Sequence, residues 1–103
     1  MARSLDELAT DVKRVSDIYV ARNNVRRDDD WHVLKLQEEL GELVAEFLRA
    51  TGRGREKPGA DTQPAMADEA ADLFAHLLLF CAQQKIDLEA ALERKWFKYL
   101  DTP

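Results

Sequence analysis

The stretch from Ala70 to Ala82 constrains the fold most strongly. Its only polar side chains are Asp72 and His76. A helix that is apolar on every side is normally buried on every side. One antiparallel neighbour would leave much of it exposed, so we predict a helical bundle that is completed by oligomerisation. Burying Asp72 in such a helix costs free energy unless its carboxylate is paired or bound to a metal.

The remaining periodicity is helical as well. Apolar residues recur at helical spacing over residues 4–23, 31–50, 65–84 and 88–100, and no segment alternates convincingly with period two. Ser4 and Glu7 form a capping box, and Asp87 is placed to cap the last helix. We therefore predict an all-α, four-helix fold. The length suits a single domain spanning residues 1–103.

A segment rich in glycine and proline separates the second and third predicted helices. Residues 51–64 contain Gly52, Gly54, Pro58, Gly59 and Pro64, together with the basic residues Arg53, Arg55 and Lys57. Glycine and proline at this density predict a loop. The loop is interpreted either as a solvated linker or as a mobile flap that brings positive charge, including that of Arg53, toward a phosphate.

Composition limits the partners and the compartment. The formal net charge is −5, which argues against nucleic acid because nucleic-acid binders usually carry a basic patch. Cys81 is the one cysteine, so no intramolecular disulfide can form, and we predict that it is a small core residue. Neither a signal peptide nor a membrane span is evident, and a cytoplasmic location is expected.

Five carboxylates in two short clusters carry the functional signal. They are Glu38, Glu39 and Glu42 in the second predicted helix, and Glu69 and Asp72 in the third. Acids three and four residues apart lie on one side of a helix and repel each other. A divalent cation would offset that repulsion, and Mg²⁺ prefers hard oxygen ligands and often bridges to phosphates.

Helical projection separates this acidic surface from the apolar one. At about 100° per residue, one arc of the second helix holds Lys35, Glu38, Glu39, Glu42 and Glu46, opposite the leucines. Glu69, Asp72 and His76 share a narrow stripe on the third helix by the same rule. We predict that the two acidic surfaces face each other.

Three runs in these helices resemble one known family. They are Lys35-Leu36-Gln37-Glu38-Glu39-Leu40-Gly41-Glu42-Leu43, then Asp68-Glu69-Ala70-Ala71-Asp72-Leu73-Phe74, then Ile86-Asp87-Leu88-Glu89-Ala90-Ala91-Leu92-Glu93-Arg94-Lys95. Together with the loop between the first two, they resemble the MazG-like all-α nucleoside triphosphate pyrophosphohydrolases. The resemblance spans residues 31–99.

The resemblance implies a reaction and a set of residues. The reaction would be magnesium-dependent hydrolysis of a (d)NTP to the monophosphate and pyrophosphate, in a homodimer or homotetramer, with Mn²⁺ as a possible substitute. Glu39, Glu42, Glu69 and Asp72 would be the metal ligands. Glu38 would be a further ligand or the base that activates water. Lys95 would meet the phosphates, although the run after it, from Trp96 to Leu100, departs from the asparagine and arginine common in the family.

Three alternative functions are kept beside this interpretation. His76, four residues after Asp72, is similar to the related phosphoribosyl-ATP pyrophosphatases, whereas the long loop and the segment at Trp31 favour the MazG-like branch. A di-iron carboxylate protein would need glutamate three residues before a histidine, and neither His32 nor His76 has one. A non-catalytic dimerisation module would show no magnesium dependence.

Several residues have two interpretations that the sequence leaves open. Lys35 either pairs with a neighbouring glutamate or contacts a phosphate. Trp31 and Trp96 are either core anchors or platforms for a nucleobase, and His76 is either a hydrogen-bonded core residue or a ligand. The base and sugar preference, the number of metal ions and the identity of the general base also stay open.

Overall fold

The computed structural model describes residues 2–101, and every regular element in that range is helical. The elements are α1 (Leu5–Asn23), α2 (Asp29–Ala50), α3 (Thr62–Gln83) and α4 (Leu88–Lys95), followed by a 3-10 helix (Phe97–Asp101). No β-strand occurs among these residues. The prediction of an all-α, four-helix fold is confirmed.

The predicted helix starts carry the expected caps. The Ser4 hydroxyl accepts from the backbone N–H of Glu7 at 3.1 Å, and the Glu7 carboxylate accepts from the backbone N–H of Ser4 at 3.0 Å. The side chains of Asp28 and Asp87 each accept from a backbone N–H three residues later, at 2.8 and 3.0 Å. These bonds satisfy N–H groups that have no partner within the helix.

Removing the cap of α1 should therefore destabilise the protein. We expect Ser4→Ala to lower the free energy of unfolding by about 1 kcal/mol, because the N–H of Glu7 loses its acceptor. Chemical denaturation measures the loss. Thr10→Ala is the matched control, since Thr10 donates only to the carbonyl of Asp6 inside α1 and alanine favours the helix. Equal destabilisation by both substitutions would contradict the role of the cap.

Three helix boundaries differ from the predicted ones. Helix α2 begins at Asp29, two residues before the predicted start. Helix α3 begins at Thr62, so Pro64 lies in its first turn, where a missing N–H breaks no helical hydrogen bond. The prediction that the last helix continues to residue 100 is wrong: α4 ends at Lys95 and the chain continues as a 3-10 helix.

Helices α2 and α3 form an antiparallel hairpin, against which α1 packs through α3. At one end of the hairpin, the Gln83 amide donates to the Asp29 carboxylate at 2.7 Å. At the other end, two guanidinium nitrogens of Arg49 each lie 3.2 Å from an oxygen of Asp61. Contacts at both ends fix the register of α2 against α3, which decides which side chains meet between them.

The first residues of the loop after α2 fold back onto that helix. The backbone N–H groups of Arg53 and Gly54 both donate to the carbonyl of Leu48, at 2.8 and 3.0 Å. Gly52 has a φ of 77°, in the left-handed region that favours glycine. A Cβ added at Gly54 would lie 3.0 Å from the backbone of Arg49, so a side chain here would force that backbone to shift by a few tenths of an ångström.

The single chain has a thin core. Leu78, Leu79 and Cys81 of α3 are its buried apolar residues among those described, and none of the described side chains is fully enclosed. Cys81 is buried as predicted, and this burial raises the pKa of its thiol. Within one chain α3 is not covered on every side: Phe74 is 42% exposed, and Asp72, which was expected to be buried, is exposed. In the described part of the chain, the main neighbours of α3 are α1 and α2, and part of its surface stays exposed.

Of the helices in residues 2–101, none combines the length and the hydropathy that crossing a bilayer requires.

Candidate metal centre

Four carboxylates meet in the contact between α2 and α3. Glu39, Glu42, Glu69 and Asp72 each place one oxygen so that all four atoms lie within 4.8 Å of one another. The two glutamates lie nearly one turn apart on α2, and Glu69 and Asp72 are spaced similarly on α3. The antiparallel register places the two pairs opposite each other, as the sequence predicted.

Burial and mutual repulsion make these acids hard to ionise together. Burial, then the charges of Glu42 and Asp72, raises the pKa of Glu39 to about 7, while Lys35 acts in the opposite direction. Burial and the neighbouring carboxylate of Glu42 raise the pKa of Glu69 as well. A positive charge between these four groups would reverse both effects.

The donor chemistry of the cluster fits a divalent cation. One carboxylate oxygen of Glu39 and one of Glu69 are buried without any hydrogen-bond partner. Buried polar atoms normally have a partner, and orphaned ones call for an explanation such as an ion. An all-oxygen ligand set suits hard cations such as Mg²⁺ or Mn²⁺.

The raised pKa of Glu39 predicts how stability depends on pH without metal. The pKa of this carboxyl is about 7 in the folded chain and near its ordinary value of 4.5 when the chain is unfolded. Between these values the folded state binds more protons, so stability should fall as pH rises from about 4.5 to 7. Denaturation midpoints across this range measure the slope. Glu39→Gln should flatten it, and an unchanged slope in that variant would contradict the assignment.

Glu38, the fifth predicted acid, lies outside the four-carboxylate cluster. Its side chain is 55% exposed, and one oxygen lies 3.3 Å from the Lys35 ammonium nitrogen. Lys35 therefore makes the predicted pair with a neighbouring glutamate. Its ammonium group also lies 5.8 Å from the centre of the Trp31 ring.

A small aromatic group lies beside the cluster. His76 places its Nε2 atom 3.9 Å from an oxygen of Glu39, and burial, then the charge of Lys35, lowers the pKa of His76. Trp31 meets the rings of His76 and His32 edge to face, with centroids 5.7 and 5.0 Å away. His32 is buried, which the sequence analysis missed, because a histidine next to a tryptophan gives no periodic signal of its own.

A cavity of about 510 Å³ opens next to the cluster, between α1, α2 and α3. Its lining includes Asp72, His76, Trp31 and Lys35, all predicted as site residues. The other wall consists of Arg3, which precedes α1, and six residues of α1: Leu8, Asp11, Val12, Val15, Ser16 and Tyr19. This wall could not be predicted from the sequence, since the periodicity of α1 identifies a helix without indicating which helix it packs against.

Three other residues singled out in the sequence belong neither to the four-carboxylate cluster nor to the lining of the cavity beside it. Arg53 stacks over the ring of Phe47 at 5.5 Å and donates to the hydroxyl of Thr51. Lys95 makes no ion pair with any acidic residue in the described part of the chain. Trp96 is 64% exposed, so it is not a core anchor in one chain.

The helical hairpin and its four converging carboxylates define a class of all-α proteins suited to holding a divalent cation. Comparison with protein-family models matches residues 5–94 to phosphoribosyl-ATP pyrophosphohydrolase, and the chain belongs to this family. The family lies within the MazG-like all-α superfamily. No curated protein and no solved structure matched the chain.

Family membership implies a pyrophosphohydrolase, an enzyme that acts on acid anhydrides. In the sequence, His76 favoured the phosphoribosyl-ATP pyrophosphatase branch, whereas the long loop and Trp31 favoured the MazG-like branch. The matched family is the first of these two branches. The resemblance read from the sequence was therefore right at the level of the superfamily, and the match leaves the substrate undetermined.

Proposed function

We propose that this protein is a magnesium-dependent nucleotide pyrophosphohydrolase. It would cleave a (d)NTP, or a related nucleotide, to the monophosphate and pyrophosphate. The observation that carries the proposal is that four carboxylate oxygens lie within 4.8 Å of one another. Two of these residues, Glu39 and Glu69, also have a buried carboxylate oxygen without a hydrogen-bond partner. Membership of a pyrophosphohydrolase family supports the reaction type.

The four carboxylates are proposed as the metal ligands. Glu39, Glu42, Glu69 and Asp72 would hold Mg²⁺, with Mn²⁺ as a substitute, and the bound ion would neutralise phosphate charge during hydrolysis. Without that cation the acidic cluster would repel a triphosphate. The cluster alone therefore explains why the activity would depend on a metal.

Glu38 and Lys35 are proposed to act at the edge of the cluster. The exposed carboxylate of Glu38 would accept a proton from the attacking water, one turn before Glu42. Lys35 would then exchange its contact with Glu38 for one with a phosphate oxygen. Lys95 is proposed as a second positive contact for the phosphates, and Arg53 as a more distant one from the loop.

The cavity beside Asp72 is proposed to bind the nucleoside part of the substrate. Trp31 and His76 line it together with apolar residues of α1, which suits a flat base, and Lys35 lies between this wall and the acids. Pockets of this kind bind ligands mainly through apolar and aromatic walls and a few polar groups.

Phosphoribosyl-ATP is the second candidate substrate. The matched family carries its name, and its hydrolysis would also release pyrophosphate from a triphosphate. Measuring turnover of phosphoribosyl-ATP beside a panel of standard and damaged (d)NTPs decides between the two. The reaction type is the same in both cases.

The products test the reaction directly. We expect monophosphate and intact pyrophosphate, separated by anion-exchange chromatography, and no diphosphate. Glu38→Gln should lower kcat by about 100-fold with little change in KM, because proton acceptance matters chiefly in the transition state. Diphosphate as the main product would refute the reaction, and a purely KM effect would refute the role of Glu38.

The assembly and the compartment are proposed from the sequence. A homodimer or homotetramer would cover the exposed apolar surface of α3. The chain would work as one domain in the cytoplasm, where a single buried thiol such as that of Cys81 stays reduced.

A further inference from the structure

The wall that α1 contributes to the cavity beside Asp72 contains a serine with a distinctive hydrogen bond. Ser16 lines the cavity, and its hydroxyl oxygen accepts from one guanidinium nitrogen of Arg27 at 3.0 Å. Arg27 lies in the connection between α1 and α2. A guanidinium group donates hydrogen bonds and accepts none, so the hydroxyl proton of Ser16 needs an acceptor elsewhere.

The usual acceptor within the helix does not take that proton. Helical hydroxyl groups often donate to the carbonyl four residues earlier, and Thr10 and Thr51 do so at 2.9 and 3.0 Å. Ser16 makes no such bond to Val12 and donates to no other atom of residues 2–101. Because a hydroxyl that accepts from a charged group is polarised, it is a stronger donor. The cavity wall therefore carries an unused, strengthened donor.

An ion pair fixes the group that orients this hydroxyl. The second guanidinium nitrogen of Arg27 lies 2.8 Å from an oxygen of Asp17, the residue after Ser16. Hydrogen bonds from Lys13 and then from Arg27 lower the pKa of Asp17, so its carboxylate stays ionised. The planar guanidinium contacts two adjacent side chains at once, which sets its orientation and that of the Ser16 hydroxyl.

The other polar groups of α1 in this wall do not offset the donor. The carboxylate of Asp11 pairs with the guanidinium of Arg3, and its other oxygen lies 3.9 Å from a guanidinium nitrogen of Arg14. Tyr19 adds a second hydroxyl, which donates to no atom in the part of the chain that the structure describes. The α1 side of the cavity is therefore richer in available donors than in available acceptors.

The place of this wall decides which part of a nucleotide it meets. The four carboxylates lie on α2 and α3, whereas Ser16 lies on the other wall of the cavity. A nucleotide with its phosphates at the carboxylates would extend its base toward α1. Adenine and cytosine carry an amino group where guanine, hypoxanthine, uracil and thymine carry a carbonyl oxygen. A donor on the wall matches the carbonyl and opposes the amino group.

We propose that Ser16 is a specificity-determining residue that donates to the base and selects nucleotides with a carbonyl oxygen at that position. Arg27 is a positioning residue, which acts through Ser16. The inference rests on the proposed function, since it names the substrate class of that reaction. Inosine and uridine nucleotides are then preferred over adenosine and cytidine nucleotides, and also over phosphoribosyl-ATP, which is built on adenine.

Matched nucleotide pairs test the preference by binding. With Mn²⁺ and analogues whose α,β bridge resists hydrolysis, calorimetry compares inosine with adenosine triphosphate, and uridine with cytidine triphosphate. In the pair that binds more tightly, the carbonyl base should be favoured by about 10-fold or more, because the amino base leaves the Ser16 donor unpaired. Equal affinities in both pairs, or a preference for the amino base, would overturn the inference.

Substitutions of Ser16 test the donor itself. Ser16→Ala should reduce the affinity ratio within the pair to about 1–3, chiefly by weakening the carbonyl base. Ser16→Thr keeps a hydroxyl and should retain most of the preference. A loss of affinity that is equal for all four nucleotides would overturn the assignment, since a contact with the sugar, or a purely structural role, would not distinguish bases.

A substitution of Arg27 tests the positioning role. Arg27→Met keeps an apolar stem but frees the Ser16 hydroxyl to turn toward the carbonyl of Val12, so the ratio should fall by about 3-fold or more. Lys13→Met is the matched control, because Lys13 is an exposed partner of the same Asp17 and makes no contact with Ser16. An unchanged ratio in Arg27→Met, or an equal fall in both variants, would overturn this role.

The outcomes separate this inference from the proposed function. A wild type that binds the nucleotides with the expected preference but hydrolyses none would refute the proposed function and leave the role of Ser16 in place. Hydrolysis of all four nucleotides with equal kcat/KM would support the function and overturn the inference. Failure to bind any of them would refute both.

Discussion

Glu39→Gln and Asp72→Asn are each expected to weaken Mn²⁺ binding by more than about 100-fold. Loss of a residue that only hydrogen-bonds to a metal ligand already lowers metal affinity by about 10–100-fold, and these substitutions remove a ligand itself. Glu39 is the most buried of the four carboxylates and one of its oxygens has no hydrogen-bond partner. An amide of the same shape keeps the packing but removes the charge that a divalent cation requires. Turnover should fall by about three orders of magnitude or more, because the cation supplies several kcal/mol in the transition state.

Glu46→Gln is the matched control for this prediction. Glu46 follows Glu42 by one turn on α2, but its carboxylate pairs with Arg49 at 2.9 Å and lies outside the four-oxygen cluster. Calorimetry with Mn²⁺ should show wild-type affinity in this variant. Equal loss of Mn²⁺ binding in all three variants, or unchanged binding in Glu39→Gln and Asp72→Asn, would refute the assignment of the metal centre.

Leu78→Ala is expected to have the largest effect on folding. Leu78 is one of three buried apolar residues in a thin core, so removing its side chain should cost about 2–3 kcal/mol. The lower half of the usual range applies because Leu78 also borders an open cavity of about 400 Å³ between the start of α1 and the turn into α4, so the vacated space would join volume that water can fill. A marginally stable chain would lose a large share of its total stability.

Leu34→Ala serves as the control for packing. Leu34 is 60% exposed on α2, so its truncation should change the free energy of unfolding by less than about 0.5 kcal/mol. Urea denaturation with linear extrapolation measures both variants. Losses of similar size at the two positions would mean that Leu78 is not a core residue in the assembled protein.

Local signals account for what the sequence predicted well. The capping box at Ser4 and Glu7 and the aspartate cap before α4 depend on residues a few positions apart, and both were located correctly. The carboxylate cluster was predictable because helical spacing alone places Glu39 with Glu42, and Glu69 with Asp72, on single faces.

Features that depend on packing between distant segments were not predictable. The periodicity of α1 could not indicate that Tyr19 and Ser16 face the cavity beside Asp72. The apolar pattern around Lys95 looked like a continuing helix, although α4 ends there. Asp72 was expected to be buried because it lies in an otherwise apolar helix, but a single chain leaves this residue of α3 exposed.

The close approach of Gly54 to Arg49 determines where this chain can be lengthened. Residues 52–54 are hydrogen-bonded back onto α2, and Arg49 holds Asp61 from the other side through two contacts. An epitope tag or a fluorescent label inserted within 52–54 would break those bonds, whereas insertion within 55–60 would leave both anchors in place. The second interval is therefore the position where a tag or label can be inserted without disturbing the hairpin.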